Sequence, residues 1–377
     1  MSNELNILKT INFDNFKCTA DKCKFTCCSG WDVSIDDATH EKWKSDNSAS
    51  YILDNITFRD SDDESGYFVN KETSTPCPFL DSKGLCEIVK SHGENYLSNT
   101  CHSFPRIENT FDETTELSLS CACPEVVEIL SALTGKISIP SSSDSDLLQL
   151  QVRKTLIDTI SNDELDLNYK LMIVYEMLLK LLDMDELSEE AITKVLKQYN
   201  DASYIKDVAS DYKATKFDIA DSIEEFNTFF LDITENYKEV SGLKLSLTDI
   251  VNFAENTDSK TLSTNWNEFK ELLKEHNTLI ENCIISKVIS NCTSDDIEDM
   301  TNAMQMIILD YLLTRYALFL KYCEGKNKTI DIIDVKDYIV VFSRIIGNNT
   351  DAVAQFLEES FDDYILELGY LSFISLY

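Results

Sequence analysis

Cysteine is the residue type in this sequence with the clearest capacity for chemistry. The chain contains twelve cysteines, and nine of them lie within the first 123 residues. Thiolates bind iron and other soft metals, and thiols inside a cell are kept reduced, so this density favours a metal site over a disulfide framework. The nine are spaced as Cys18-x4-Cys23-x3-Cys27-Cys28, then Cys77-x8-Cys86-x14-Cys101, then Cys121-x-Cys123.

The spacing bears on which metal is bound. A structural zinc site uses four ligands around a tetrahedron, often as two Cys-x2-Cys pairs, and this sequence contains no such pair. The side chains of Cys27 and Cys28 start on opposite sides of an extended backbone, which hinders both from binding one tetrahedral ion. A four-iron cluster can take ligands from scattered positions. The spacing therefore favours iron and sulfur, with zinc as the alternative.

The sequence that must position these thiols divides into two parts. Four of the five prolines lie in the cysteine-rich part, whereas after residue 145 proline is absent and glycine occurs only four times. We predict a mainly α fold, in which a small, irregular, cysteine-rich metal-binding N-terminal domain precedes a large all-helical domain. The predicted bounds are 1–136 for the first domain, 137–145 for a linker and 146–377 for the second domain.

Apolar residues recur at three- and four-residue spacing through the second part, which predicts helices. Another helix is predicted from Pro124, which suits a first helical position, to Gly135. Ser188 and Ser294 each precede two acidic residues and are predicted N-caps. The predicted helices of the second part span 147–160, 165–182, 187–199, 223–237, 266–289, 296–322, 334–346 and 351–368.

Three cysteines lie outside the cysteine-rich part. Cys283, Cys292 and Cys323 each occur in helical, apolar sequence without partners at ligand spacing. A thiol in such surroundings packs as a small apolar group. We therefore predict that these three are buried and have no role in the metal site.

Charge and hydropathy restrict the partners and the compartment. The net charge is −34, and because phosphate binding needs clustered Lys and Arg, nucleic acid is not an expected partner. The longest apolar segment, Met304 to Leu320, is interrupted by Asp310 and Arg315, whereas a membrane span needs roughly 20 apolar residues in a row. The N-terminus lacks the pattern of a secretory signal. These features predict a cytoplasmic protein without a membrane span.

Four segments of the cysteine-rich part resemble the flagellin lysine N-methylases, in the order of that family. The resemblance implies an enzyme that transfers a methyl group from S-adenosylmethionine to lysine ε-amines of flagellin, with a 4Fe-4S cluster bound by cysteines. An acidic surface would also attract a lysine-rich partner. The four segments are Phe16 to Asp36, Cys77 to Cys86, Leu97 to Arg106 and Ser118 to Glu125.

Carried over position by position, the resemblance implies eight metal-binding cysteines. Cys121 is an additional cysteine, and His102 and Phe104 stand where the family pattern has Arg and Tyr. Eight thiolates exceed the needs of one four-iron cluster, so either some of them do not bind metal or there are two sites. The eight are Cys18, Cys23, Cys27, Cys28, Cys77, Cys86, Cys101 and Cys123.

The site for S-adenosylmethionine must be built without a glycine-rich loop. The chain has nine glycines and no Gly-x-Gly, and it also lacks the Cys-x3-Cys-x2-Cys spacing of radical S-adenosylmethionine enzymes. A Rossmann-type phosphate turn is therefore absent. We predict that the cofactor binds between the cysteine-rich part and the helices. The candidate cofactor-binding residues, chosen because they lie near candidate metal ligands in sequence, are Trp31, Asp32, Phe104 and Arg106.

Methyl transfer also needs a neutral acceptor amine, so a Tyr, Asp or Glu near the acceptor must take its proton or lower its pKa. The sequence does not indicate which residue does so. Two other functions remain open: a non-enzymatic zinc or iron module that binds a protein client, and a redox iron–sulfur protein. Against the redox function, the sequence contains no flavin- or nicotinamide-binding loop that would supply electrons.

Overall fold

Two three-stranded β-sheets lie in the N-terminal third of the chain. The computed structural model describes residues 6–60, 65–71, 75–139, 147–184, 186–240, 242–361 and 366–375. The strands are β1 (Asn6–Lys9), β2 (Ser34–Ile35), β3 (Ile56–Asp60), β4 (Ser65–Val69), β5 (Arg106–Phe111) and β6 (Thr114–Leu119). The first sheet has the order β1-β6-β5, with β1 parallel and β5 antiparallel to β6. The second has the order β2-β4-β3 and is antiparallel.

These strands contradict the prediction that the N-terminal region is irregular. β5 and β6 pair from Arg106 with Leu119 to Phe111 with Thr114, so a two-residue turn joins them. The first turn residue, Asp112, has a φ of +47°, and Asp adopts this left-handed conformation more readily than most residues. Proline- and cysteine-rich composition predicted turns here, whereas the short alternating strands between the turns were not predicted.

Helices dominate the described residues, as the mainly α prediction requires. The helices of the N-terminal third are α1 (Asp37–Ser45), α2 (Ser50–Leu53), α3 (Glu87–His92), α4 (Asn99–Ser103) and α5 (Pro124–Ser131). The later helices are α6 (Leu148–Ile160), α7 (Leu167–Leu182), α8 (Glu189–Tyr199), α9 (Ala202–Ala214), α10 (Ile219–Glu235), α11 (Lys244–Glu255), α12 (Ser259–Ser263), α13 (Trp266–Leu273), α14 (Asn277–Asn291), α15 (Ile297–Glu324), α16 (Ile332–Ile345), α17 (Thr350–Ser360) and α18 (Leu368–Ile374). Between 147 and 375, the described residues form no strand.

Helix ends follow local capping chemistry. Ser188 caps α8 as predicted, because its hydroxyl accepts a hydrogen bond from the Ala191 N–H at 3.2 Å. Ser294 was the predicted cap of the next such helix, but Asp296 caps α15 instead. The single helix predicted over 266–289 is divided into α13 and α14 by a 3₁₀ turn at Lys274–His276.

Helix α15 lies at the centre of the helical part, packed against α7, α11, α13, α14 and α16. Of the described residues, it is the segment long and apolar enough to cross a membrane, and 94% of its apolar window is buried inside the fold. A helix that is apolar on all sides is also typical of a protein core. The two charged residues within it, Asp310 and Arg315, are each 3% exposed.

One large hydrophobic core includes residues from both parts of the chain. Phe25 and Leu119 of the N-terminal third are buried in it with the helices. A smaller core surrounds Trp43 beside the second sheet. The predicted domain bounds stay a prediction: within the predicted linker, Ile137 is buried in the large core, whereas 140–145 lie outside the described residues.

A buried ion pair joins the first sheet to α6. One guanidinium nitrogen of Arg153 lies 2.8 Å from the carboxylate of Glu116 on β6, and another donates to the Ile289 carbonyl at 3.1 Å. The two side chains are 4% and 2% exposed. Removal of the cation would therefore leave a carboxylate buried without its partner.

Replacement of Arg153 by Met is expected to destabilise the fold by about 3–5 kcal/mol, the cost of leaving a buried charge unpaired. Thermal unfolding followed by circular dichroism measures the effect. The control is Lys206→Met, because Lys206 pairs with Glu164 at an exposed site and exposed pairs contribute little. Equal melting temperatures for Arg153→Met and the wild type would show that the buried pair does not stabilise the sheet.

Candidate functional site

The cysteines predicted to bind metal come together in the N-terminal third. Cys86 and Cys123 occupy the N-cap positions of α3 and α5, and Cys101 lies within α4. Cys28, Cys77, Cys86 and Cys101 pack against or within the small core around Trp43. We call the following eight residues the cysteine cluster: Cys18, Cys23, Cys27, Cys28, Cys77, Cys86, Cys101 and Cys123.

Thiols on one side of the cysteine cluster contact one another in pairs. Cys27 Sγ lies 3.9 Å from Cys28 Sγ, and Cys28 also hydrogen-bonds Cys77. The bond from Cys27 lowers the pKa of Cys28, but the bond to Cys77 and burial outweigh it and raise this pKa to about 12. Burial raises the pKa of Cys101 to about 11. These raised pKa values favour the protonated thiols. A bound metal cation would instead favour the thiolates, since a coordinating thiol is deprotonated.

Cys23 connects the remaining thiols to this group. Burial raises the pKa of Cys23, and the nearby Cys27 and Cys18 raise it further. Burial also raises the pKa of Cys123 to about 11, with a contribution from Cys23. Cys23 therefore lies electrostatically between Cys27 and Cys123.

Arg344 of α16 reaches from the helical part into the cysteine cluster. Its guanidinium donates to the carbonyls of Ala122 at 2.9 Å, Thr26 at 2.6 Å and Phe25 at 3.4 Å. The side chain is 1% exposed. Its positive charge lowers the pKa of Cys27 against the stronger effects of the Cys28 hydrogen bond and burial. Arg344 therefore both fixes the backbone beside the thiols and favours their thiolate form.

The donor chemistry of the cysteine cluster suits a soft metal, since eight thiols and a buried cation are the groups that bind and balance a thiolate-held iron centre. Their geometry, however, does not form a complete coordination site: within the described residues, no three His, Cys, Asp or Glu side chains are arranged as ligands of one metal ion. The thiols meet in pairs, so the identity of the metal and its ligand set stay predictions.

A cavity of about 440 Å³ lies between the N-terminal third and helices α14, α15 and α16. This volume is within the range of small-molecule pockets. The N-terminal third contributes Trp31, Thr100, Ser103, Phe104, Pro105, Arg106, Ile107, Leu119, Ser120 and Cys121 to its lining. The helical part contributes Lys287, Ser290, Asn291, Ala303, Met306, Ile307, Asp310, Ser343, Ile346, Gly347, Asn348 and Thr350.

Three of the four predicted cofactor-binding residues lie in the cavity wall, namely Trp31, Phe104 and Arg106. The rings of Trp31 and Phe104 lie 5.8 Å apart between centroids. Trp31 Nε1 donates to the Cys27 carbonyl at 2.8 Å, so the cavity wall is tied directly to the cysteine cluster. The structure thus brings these three side chains together beside the predicted metal ligands.

The fourth predicted residue, Asp32, is placed elsewhere. Its carboxylate binds Arg59 of β3 through two contacts, Oδ2 to Nη1 at 2.5 Å and Oδ1 to Nη2 at 3.3 Å. Asp32 does not belong to the residues that line the cavity. Asp32 lies in the irregular segment before β2, and the pairing with Arg59 accounts for its position outside the cavity lining.

Charged and polar groups of the helical part complete the cavity, and sequence reasoning missed them. Lys287 Nζ lies 2.6 Å from Asp310 Oδ2, with side chains 12% and 4% exposed. The amide nitrogen of Asn348 is buried and has no hydrogen-bond partner within the described residues. The sequence did contain one signal of this site, an acidic residue within an apolar helix. Burial of a charge is costly, so such a residue indicates a specific partner or function. In the sequence, Asp310 counted only as an interruption of an apolar segment.

Two further thiols meet at the cavity edge. Cys121 and Cys283 are each 2% exposed, and Cys121 Sγ donates to the Cys283 carbonyl at 3.9 Å. The neighbouring Cys283 thiol lowers the pKa of Cys121, and the Cys121 thiol raises that of Cys283. Cys121 lines the cavity, whereas Cys292 and Cys323 are buried in the core. The prediction that Cys283, Cys292 and Cys323 are buried is confirmed.

Replacement of Arg344 by Lys is expected to loosen the cysteine segment, because an ammonium group cannot donate to three separate carbonyls in the geometry of a guanidinium. Hydrogen–deuterium exchange should become faster at residues 23–31. The matched control is Arg315→Lys, because Arg315 is equally buried but binds Asn168 and the Ser375 carbonyl. Unchanged exchange at 23–31 in the Arg344 variant would contradict the role assigned to this contact.

Comparison with known proteins identifies the family. The FliB lysine N-methylase C-terminal domain matches residues 153–374, more than half of the chain. Flagellar biosynthetic protein FliU of Salmonella muenchen is 32% identical over 127 residues, which are 33% of this chain and 75% of FliU. The Lysine-N-methylases of Salmonella choleraesuis and Salmonella typhimurium are 32% identical over 127 residues, 33% of this chain and 32% of each relative.

The aligned segment spans only about a third of the length of those two methylases. No solved structure matches the chain significantly. The family match lies in the helical part, and it agrees with the resemblance that the cysteine segments of the N-terminal third carry. The predicted recognition, and with it the enzyme class of protein-lysine methyltransferases, is therefore confirmed at the level of the family: the chain belongs to the FliB lysine N-methylase family.

Proposed function

We propose that this protein is an S-adenosylmethionine-dependent lysine N-methylase that acts on flagellin. The observation that carries the proposal is the 440 Å³ cavity at the junction of the cysteine cluster and the helices. Three residues selected from the sequence alone line this cavity, together with a buried carboxylate. Family membership supplies the reaction class, and the cavity supplies a place for it.

The cavity wall offers groups that match the parts of S-adenosylmethionine. Trp31 and Phe104 present aromatic faces on which a planar base can stack. Arg106 presents a guanidinium group suited to a carboxylate, and the Asn348 amide nitrogen offers a buried donor.

The proposal includes an iron–sulfur cluster, with zinc as the alternative, held by thiolates of the cysteine cluster. Cys27, Cys28, Cys77 and Cys101 are the strongest ligand candidates, because Cys27 Sγ lies 3.9 Å from Cys28 Sγ and because Cys77 and Cys101 are near enough to raise the pKa of Cys28. When bound, such a centre supplies thiolate–metal bonds that brace the loop carrying Trp31. Arg344 holds the same segment through hydrogen bonds to the Thr26 and Phe25 carbonyls.

The proposed substrate and compartment follow from the relatives and from charge. One relative carries the name of a flagellar biosynthetic protein and two are named Lysine-N-methylase. A net charge of −34 attracts lysine-bearing surfaces at low ionic strength. We place the reaction in the cytoplasm, where flagellin is synthesised.

Incubation of the purified protein with S-adenosylmethionine and flagellin is expected to add methyl groups to flagellin lysines, detected as mass increments on lysine-containing peptides. Phe104→Ala should weaken S-adenosylmethionine binding about two- to tenfold, because a lost stacking contact is worth about 0.5–1.5 kcal/mol. Isothermal calorimetry measures this affinity. Asp32→Asn should have a smaller effect, since its carboxylate binds Arg59.

The matched control is Phe58→Ala, which removes an exposed aromatic ring of β3 away from the cavity lining. It should leave binding and methyl transfer unchanged. Absence of both cofactor binding and lysine methylation in the wild-type protein would favour the non-enzymatic client-binding module. Electron transfer without methylation would favour the redox protein.

Anaerobically purified protein is expected to contain iron and acid-labile sulfide and to show a broad visible absorption that bleaches on reduction. A Cys28→Ser/Cys77→Ser variant should lose this metal, because it removes two thiols in contact. The matched control, Cys292→Ser/Cys323→Ser, should retain it. Metal analysis decides the question: stoichiometric zinc without sulfide would select the alternative metal, and full metal in the first variant would exclude Cys28 and Cys77 as ligands.

A further inference from the structure

A carboxylate and an ammonium group face the cavity from two neighbouring helices. Asp310 of α15 and Lys287 of α14 form an ion pair of 2.6 Å, and both residues line the cavity. The pair formed by Lys170 and Glu281 is equally buried, at 2.7 Å, but does not line the cavity. Position at the cavity, rather than burial alone, therefore distinguishes Asp310 and Lys287.

Charge in the cavity bears on what it can hold. Among the described residues that line it, the cationic side chains are Arg106 and Lys287, and the carboxylate is Asp310. The proposed reaction brings in two more cations, a sulfonium and a lysine ammonium. An ammonium placed beside Lys287 and a sulfonium loses its proton more readily, because neighbouring like charges disfavour the protonated form. The carboxylate is the group that can receive the ammonium and its proton.

Groups on α14, α15 and α16 affect the pKa of Asp310. Burial raises the pKa of its carboxyl group, and Lys287 together with the hydroxyls of Ser343 and Thr314 lowers it only in part. The thiols of Cys121 and Cys283 face Lys287 from the other side. A buried carboxylate with a raised pKa is a better proton acceptor than an exposed one, which suits a general base.

Building on the proposed methylase function, we propose that Asp310 is the catalytic base, which binds the ε-ammonium group of the acceptor lysine and takes its proton. The freed amine nitrogen then attacks the methyl carbon of the sulfonium. The new C–N bond forms as the C–S bond breaks, and the sulfur leaves as a neutral thioether. The methylated amine carries the positive charge, and Asp310 later returns its proton to solvent.

Lys287 positions the base and does not accept the methyl group itself. Burial acts to lower the pKa of Lys287, but the Asp310 carboxylate and the Cys121 thiol outweigh burial, so this pKa is raised. Lys287 thus stays an ammonium group without a lone pair for attack. The protein's own mass at Lys287 should therefore remain unchanged after incubation with S-adenosylmethionine.

The test compares the full-length, metal-loaded wild-type protein with an Asp310→Asn/Lys287→Gln variant. This variant removes both charges of the pair, so that no unpaired charge remains buried. Methyl transfer to purified flagellin is followed from pH 6 to pH 10, beside S-adenosylmethionine affinity and melting temperature. We expect cofactor affinity within about twofold of wild type and transfer slowed about 100-fold or more at neutral pH, as general bases contribute 10²–10⁴-fold. The residual rate should rise toward high pH, because the free amine of the substrate then forms without the base.

The matched control is Lys170→Met/Glu281→Gln, which neutralises a buried pair whose residues do not line the cavity. It should change the melting temperature but neither the transfer rate nor its pH profile. Transfer by the Asp310 variant within about threefold of wild type at neutral pH would overturn the assignment of the base while leaving the methylase function intact. Absence of transfer by the wild type would overturn both. A mass increment on Lys287 would instead make Lys287 the acceptor.

A second variant keeps the test decisive should the double variant not fold. Asp310→Glu retains the charge and the partner Lys287 but moves the carboxylate by one methylene. Transfer should fall about tenfold to 100-fold with unchanged cofactor affinity, because displacement by about 1 Å disrupts a proton-transfer geometry. An unchanged rate in a folded Asp310→Glu protein would count against Asp310 as the base.

Discussion

The guanidinium group of Arg344 joins the two parts of this protein. It extends from α16 to three carbonyls of the cysteine-rich part, two on the segment before Cys27 and one on the segment before Cys123. A flat, permanently charged group with several donors is suited to collecting acceptors from separate segments. Because Trp31 is held by the same segment, the cysteine cluster and one wall of the cavity both depend on this contact. Burial of an arginine is costly unless its donors are satisfied, so the contact strongly specifies how the two parts dock.

The cavity itself arises where polar groups interrupt otherwise apolar packing. Asp310 lies in the middle of the most buried helix, and its neighbours on α14 and α16 supply a cation and a hydroxyl. Such a network stabilises less than apolar side chains of equal volume would. Asp310 and Lys287 differ from the equally buried Lys170 and Glu281 in that they line the cavity, where their charges can act on a bound molecule.

The helical part was largely predictable from sequence because its signals are local. Apolar periodicity and the absence of proline located α6, α7, α8, α15 and α16 to within a few residues. Strand β1 was missed because its pairing with β6 joins distant segments, whereas β5 and β6 were missed although a two-residue turn joins them. Trp31, Phe104 and Arg106 were predicted from their proximity to cysteines, whereas Asp310 and Lys287 became recognisable only once three helices placed them at one cavity. Asp32 shows the limit of proximity in sequence, since its carboxylate pairs with Arg59 of β3 and not with the cavity.

The walls of the cavity come from nearly opposite ends of the chain, from Trp31 to Thr350. On a ribosome, the last wall emerges only after the first has long been exposed, so the site cannot form on a partly synthesised chain. Contacts of such long range also form late in folding, because a large loop must close first. Any molecule held in the cavity would bind only the completed fold and would stabilise the whole chain by an amount that grows with the logarithm of its concentration over its dissociation constant. Ligand binding therefore requires the complete fold, and a truncated copy would fail to bind the ligand altogether.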